Sequence, residues 1–146
     1  MSDAIKTVLV ATDGSESALR AEAVAIKIAA GCGSRLVVVT ISRGLPEAEI
    51  RHLAHTEGDV SKARHALIRR ILDAAKERAE GAGVNEVCLV SEHGDPAKVI
   101  LSLGEREQAD VVVIGRRGVG AISKLLLGSV SKSIIDNAHC AITVVP

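Results

Sequence analysis

Apolar residues fall along this chain in two alternating rhythms. Short unbroken runs rich in valine, isoleucine and leucine alternate with longer segments in which apolar residues return at helical spacing. The unbroken runs predict strands over residues 5–11, 36–41, 87–90, 111–114 and 141–145, each buried on both faces. Between the first two lies a predicted helix reaching residue 30, with Leu19, Ala23, Ile26 and Ala30 as its core face. Gly31, Cys32 and Gly33 end it, since glycine accepts the left-handed conformation past a helix. A long helix is expected over 59–80. Val60, Leu67, Ile71, Ala75 and Ala79 face inward, and Arg64, Arg69, Arg70, Lys76, Glu77 and Glu80 form the solvated side.

Asp95 before Pro96 reads as an N-cap and first helical position. The helix it opens runs to about 108, with Val99, Ile100 and Leu103 facing in. A last helix begins at Ser129, with Val130, Ile134, Ile135 and Ala138 as its apolar stripe. Residues 42–58, with Gly44 and Pro46, predict a loop and a short helix through His52 and His55. Strands that alternate with helices define an α/β chain with a doubly wound, five-stranded parallel sheet.

Length and composition narrow this picture. At 146 residues the chain is the size of one domain, 1–146, with one core. Basic and acidic residues balance at 18 each, which argues against a nucleic-acid binder working through bulk charge. Phe, Tyr and Trp are all absent, which removes the stacking platforms of single-strand binders. Any planar ligand ring would have to be held by aliphatic walls and backbone groups. No signal peptide or membrane-spanning run is visible, so a cytoplasmic protein is expected. Cys32, Cys88 and Cys140 are odd in number and far apart. They read as reduced, buried thiols.

The candidate chemistry concentrates where the fourth strand ends. There Gly115, Gly118 and Gly128-Ser129 follow the spacing Gly-x2-Gly-x9-Gly-Ser. Glycines past a strand let a ligand approach the main chain. Ser129 stands at a helix N-terminus, where free N–H groups and the dipole favour an anion such as phosphate. The same pattern also fits a plain turn followed by a serine cap. Arg116 and Arg117 flank this stretch and are placed either to pair with phosphate oxygens or to sit solvated in a loop. Lys124 and Lys132 are weaker candidates. Asp13, at the end of the first strand, is placed either to accept from a ribose hydroxyl or hold a metal, or to cap the first helix.

The Gly115–Ser129 spacing resembles the nucleotide-binding signature of the universal stress protein family, in its ATP-binding branch. Val8-Leu9-Val10-Ala11-Thr12-Asp13-Gly14-Ser15 resembles the family's first strand and acidic turn. Gly94-Asp95-Pro96 with Ile100 resembles its third helix start, and Cys140 to Val145 its closing strand. The resemblance spans essentially the whole chain, in order. It implies the strand order 3-2-1-4-5 of an adenine nucleotide alpha hydrolase-like fold. In that order the turns after the first and fourth strands meet across one crevice, at the switch point where such sheets bind ligands.

As site residues the resemblance implies Ala11, Thr12, Asp13, Thr40, Gly115, Arg117, Gly118, Gly128, Ser129 and Val130. Thr40 corresponds to the family position that meets adenine through the backbone. ATP is the implied ligand, with Mg²⁺ accompanying it and Asp13 a possible contact for the metal. The implied role is regulatory, in stress response, with slow or no hydrolysis. The implied assembly is a homodimer paired through strand 141–145.

Rival motifs are absent. No glycine precedes lysine as a Walker loop requires, and GxGxxG fails where Ser123 replaces the third glycine. The Ser-Gly-Gly loop of ATP pyrophosphatases and a G-x-S-x-G elbow are also missing. His52, His55 and His65 lack a cysteine or carboxylate to complete a zinc set, and His93 is expected near the crevice. Two rivals stay open. One is a Mg²⁺-dependent ATPase using Asp13. The other is a nucleotide-free dimeric interaction module.

Overall fold

The computed structural model describes residues 4–116 and 128–146. Five strands form one sheet: β1 (Thr7–Ala11), β2 (Arg35–Ile41), β3 (Val87–Glu92), β4 (Val111–Gly115) and β5 (Ala141–Val145). All pair parallel, in the order β3-β2-β1-β4-β5. The helices are α1 (Glu16–Cys32), α2 (Glu47–Glu57), α3 (Val60–Gly81), α4 (Pro96–Arg106) and α5 (Ser129–Asn137). The doubly wound class and the strand order agree with expectation.

Alternation along each strand divides the core between two layers. Val8, Val10, Leu36, Val38, Val111 and Val113 point toward α1 and α3. Leu9, Val37, Val39, Ile41, Val112 and Ile114 point toward α4 and α5. Both layers are buried, which is why these strands read as unbroken apolar runs. β1 starts at Thr7 rather than at residue 5. The Asp110 carboxylate takes the N–H groups of Lys6 (2.8 Å) and Thr7 (3.0 Å) at this end of the strand.

Helix ends follow local chemistry. Ser15 caps α1 by accepting from the Ala18 N–H, and Gly33 closes it in the left-handed region at φ 67°. Asp59 caps α3, and Asp95 caps α4 with Pro96 behind it.

Several predicted faces need correction. In α1, Leu19 is 41% exposed and Ala23 is exposed; the buried stripe is Ala18, Ala21, Glu22, Ala25, Ile26 and Ala29. Alanine recurs on more than one face of this helix, so periodicity does not choose between stripes one residue apart. Small side chains let the true stripe sit close to the sheet. Val60, Val130 and Ile135 are also exposed, while Ile134 is fully buried. Cys32 is exposed at the end of α1, contrary to expectation, and Cys88 and Cys140 are half-buried.

The segment predicted as a loop with a short helix contains a 3-10 turn (Ser42–Gly44) and the eleven-residue α2. Leu45 and Ile50 anchor it in the α3 layer of the core. His52, His55 and His65 are exposed. Among the described residues no helix is long and apolar enough to cross a membrane.

Candidate functional site

The winding reverses between β1 and β4, and a crevice opens at the carboxyl ends of these strands. Its volume is about 220 Å³ among the described residues. Ala11, Ala18, Val39, Ile41, Pro96, Ile100 and Ile114 supply aliphatic walls. Thr12, Asp13, Ser15, Gly115, Val130 and Ser131 complete the lining. Asp13 is the one carboxylate in that set.

The acidic turn is held by a chain of short bonds. Asp13 Oδ1 accepts from the Ser15 N–H at 2.9 Å, and Thr12 Oγ1 accepts from the Gly14 N–H at 3.2 Å. The Thr12 N–H donates to the Val39 carbonyl at 2.9 Å, continuing the ladder past the strand end. Gly14 has φ 80°, and a Cβ there would lie 3.1 Å from Ile71 of α3. Glycine thus serves both the left-handed turn and the close approach of α3. The Thr12 hydroxyl donates to Glu22, a buried carboxylate that also receives Arg78.

The glycine side is built differently. The Gly128 N–H donates to the Arg116 carbonyl at 3.1 Å, and the Ser131 hydroxyl reaches the carbonyls of Gly115 (2.9 Å) and Arg116 (3.2 Å). These bonds bring the two ends of the glycine signature together. Gly128 is the N-cap of α5, with φ −64° and ψ 157°, and makes no side-chain cap bond. Ser129 and Val130 form the exposed first turn of the nine-residue α5. Gly115 has a structural reason as well: a Cβ on it would meet Ser17 Oγ at 2.5 Å.

Of the expected site residues, the fold gathers Ala11, Thr12, Asp13, Gly115 and Val130 around the crevice. Gly128 and Ser129 stand at the α5 N-terminus, next to Val130 and Ser131 on its wall. Thr40 is fully buried, and strand alternation turns its side chain away from the layer of Val39 and Ile41, which do line the crevice. Arg117 and Gly118, like Lys124, lie outside the described residues.

Sequence reasoning placed Ser15 in the turn at the crevice but passed over Ser131 as a lining residue, and Glu22 entirely. The available signal for Glu22 was one acid among the alanines at positions 18, 21, 25 and 29. His93 is exposed and outside the lining set; its Nδ1 bonds the Ser42 hydroxyl, tying the turns after β2 and β3. Beyond the crevice, burial and then the Asp110 charge push the Cys140 thiol above its ordinary range, which keeps it protonated at neutral pH.

The family model described as the universal stress protein family matches residues 4–146. A universal stress protein of Thermus aquaticus, named for the QAH/OAS sulfhydrylase 3' region, is 38% identical over 143 residues, covering 96% of this chain and 98% of the relative. Universal stress protein Rv1636 of Mycobacterium tuberculosis is 37% identical over 144 residues, covering 97% of each. The crystal structure of Rv1636 matches with a TM-score of 0.63 at 31% identity, over 100% of this chain and 98% of that one. A universal stress protein solved in complex with cAMP matches with a TM-score of 0.71 at 30% identity, over 98% of both chains. This chain belongs to the universal stress protein family.

Proposed function

We propose that this chain binds an adenine nucleotide, ATP foremost, in the crevice between β1 and β4, and acts as a regulatory protein in stress response. The observation that carries the reading is the pairing of an aliphatic pocket with a helix N-terminus that no side chain caps among the described residues. Val39, Ile41, Pro96, Ile100 and Ile114 offer a surface for the base without any aromatic ring. Asp13 stands on the opposite lip as a hydroxyl acceptor. Gly128, Ser129 and Val130 offer backbone N–H groups and a positive dipole end to phosphates. The cAMP complex of a relative at 30% identity supports an adenine nucleotide as ligand.

Asp13 also fits a role toward Mg²⁺. Its Oδ1 is taken by Ser15, and among the described residues Oδ2 has no hydrogen bond. Mg²⁺ typically takes one or two carboxylates and completes its shell with phosphate oxygens and water. No group of three ligating side chains exists among the described residues, so the cation would arrive with the nucleotide. When bound, the metal would neutralise phosphate charge. Among the described residues the lining offers no histidine and no second carboxylate to position an attacking water, which fits slow or no turnover. In this reading occupancy biases a conformational or dimer equilibrium. The dimer pairs β5, an edge strand, across a two-fold axis. The protein works in the cytoplasm.

The test uses the missing aromatics. With no Phe, Tyr or Trp, the purified protein is nearly transparent where nucleotides absorb, so co-purified ligand is visible directly. Titration calorimetry with ATP, AMP and cAMP, with and without Mg²⁺, then ranks the ligands. Asp13→Ala is expected to weaken ATP binding by roughly 10- to 100-fold, from loss of a charged hydrogen-bond acceptor. A transparent preparation that binds none of the three overturns the reading.

A further inference from the structure

We infer that Glu22 is a positioning residue for the ligand-facing turn, acting through the Thr12 hydroxyl and anchored on α3 by Arg78. The ligand part of this inference rests on the nucleotide reading above. Glu22 is 1% exposed, in the middle of the alanine stripe of α1. A carboxylate this deeply buried is costly unless it is paired and hydrogen-bonded. Here both oxygens are engaged: Oε1 receives Arg78 Nη2, and Oε2 receives the Thr12 hydroxyl. An apolar residue would pack between Ala18, Ala21, Ala25 and α3 without that desolvation, so packing alone does not call for an acid here.

The consequence lies one bond further on. A threonine hydroxyl has one proton and two lone pairs. With the proton committed to Glu22, Oγ1 faces the Gly14 N–H as an acceptor, at 3.2 Å. That bond secures Gly14 at φ 80°, where a Cβ would lie 3.1 Å from Ile71 of α3. The turn is thus tied to α3 through Glu22 and Arg78, with no room for a side chain at position 14. Asp13 lies between the two residues so held, with Oδ1 on the Ser15 N–H. Glu22 touches no ligand in this account. It orders the turn that presents Asp13 to the crevice before a ligand arrives, which lowers the ordering cost of binding.

The experiment compares Glu22→Gln, Thr12→Val and Thr12→Ser with the unmodified chain. Two readouts are taken: ATP affinity by calorimetry with Mg²⁺, and exchange of the Gly14 amide by NMR without nucleotide. Glu22→Gln and Thr12→Val are expected to bind ATP roughly tenfold more weakly. Both should show faster Gly14 exchange relative to β1 amides. Thr12→Ser keeps the hydroxyl and should bring Gly14 exchange back to near the unmodified value.

Folded variants with unchanged affinity and unchanged Gly14 exchange, whatever their melting temperature, overturn the inference. If Glu22→Gln does not fold, the Thr12→Val and Thr12→Ser pair, which leaves the Glu22–Arg78 pair in place, decides. If the unmodified chain binds no adenine nucleotide, the functional reading fails and the ligand role of Glu22 with it. The exchange measurement then still decides whether Glu22 sets the turn.

Discussion

The two lips of the crevice are made in opposite ways. On the β1 side, the Gly14 and Ser15 N–H groups and the Thr12 hydroxyl are spent on partners within the protein, ending at Glu22 and Arg78. On the β4 side, α5 starts from a bare glycine, and no side chain caps its first turn among the described residues. One lip is arranged before any ligand binds. Among the described residues, the other leaves its first helical turn without a side-chain cap. In the proposed reading the closed lip would orient one acceptor and the open lip would attract an anion.

This contrast predicts different penalties on the two sides. The largest effect on stability belongs to Arg78→Ala, which leaves the Glu22 carboxylate buried without its cation. Because Arg78 is 44% exposed, the expected loss is about 2–3 kcal/mol, below that of a fully buried pair. Chemical denaturation measures it, and a loss under about 0.5 kcal/mol would mean that water already replaces Arg78.

Next comes Gly115→Ala, where the lips touch. The new Cβ would meet Ser17 Oγ at 2.5 Å and the Ser17 carbonyl at 3.3 Å. A destabilisation of about 1–3 kcal/mol is expected. Ser17→Ala in the same chain removes the closer contact and should recover part of it, a non-additive pair. Strict additivity in the melting data would show that the strain lies elsewhere.

Ser129→Ala tests the open lip. Its side chain is exposed, so stability should stay within about 0.5 kcal/mol, while ATP affinity falls by roughly three- to tenfold. Equal affinity would show that the Ser129 hydroxyl makes no contact that matters to the phosphates.

The smallest effect is expected for Gly128→Ser. The backbone at position 128 is ordinary extended chain, so serine fits and can cap α5. Stability should rise by a few tenths of a kcal/mol, about the difference between serine and glycine caps. Affinity for ATP should fall, because the new hydroxyl competes for the same N–H groups. A gain in both would break the idea that this lip is kept open for a ligand.

The strands and their class were written in the chain. A strand covered on both faces must be apolar at every position, and that leaves an unbroken run such as Val111 to Ile114. The caps at Ser15, Asp59 and Asp95 were equally local, because a cap joins residues two or three apart. The glycine spacing from Gly115 to Ser129 was legible too, since it lies within one stretch of chain.

Other features depended on packing. The buried face of α1 was set by the sheet and by α3, since alanine occupies more than one face. Helix α2 was legible as a short helix through His52 and His55, but its anchors Leu45 and Ile50 become meaningful only against α3. Thr40 is expected at the site from the family resemblance, yet strand alternation turns its side chain away from the layer of Val39 and Ile41. Glu22 reaches Thr12 across ten residues and Arg78 across fifty-six. By itself the sequence determined what is local: the strand runs, the caps, the glycine spacing and the balance of charge. Tertiary structure alone decided which helix face is buried, how a lone acid is neutralised and which side chains share the crevice. Those are contacts between residues far apart in the chain, and no local pattern encodes their partners.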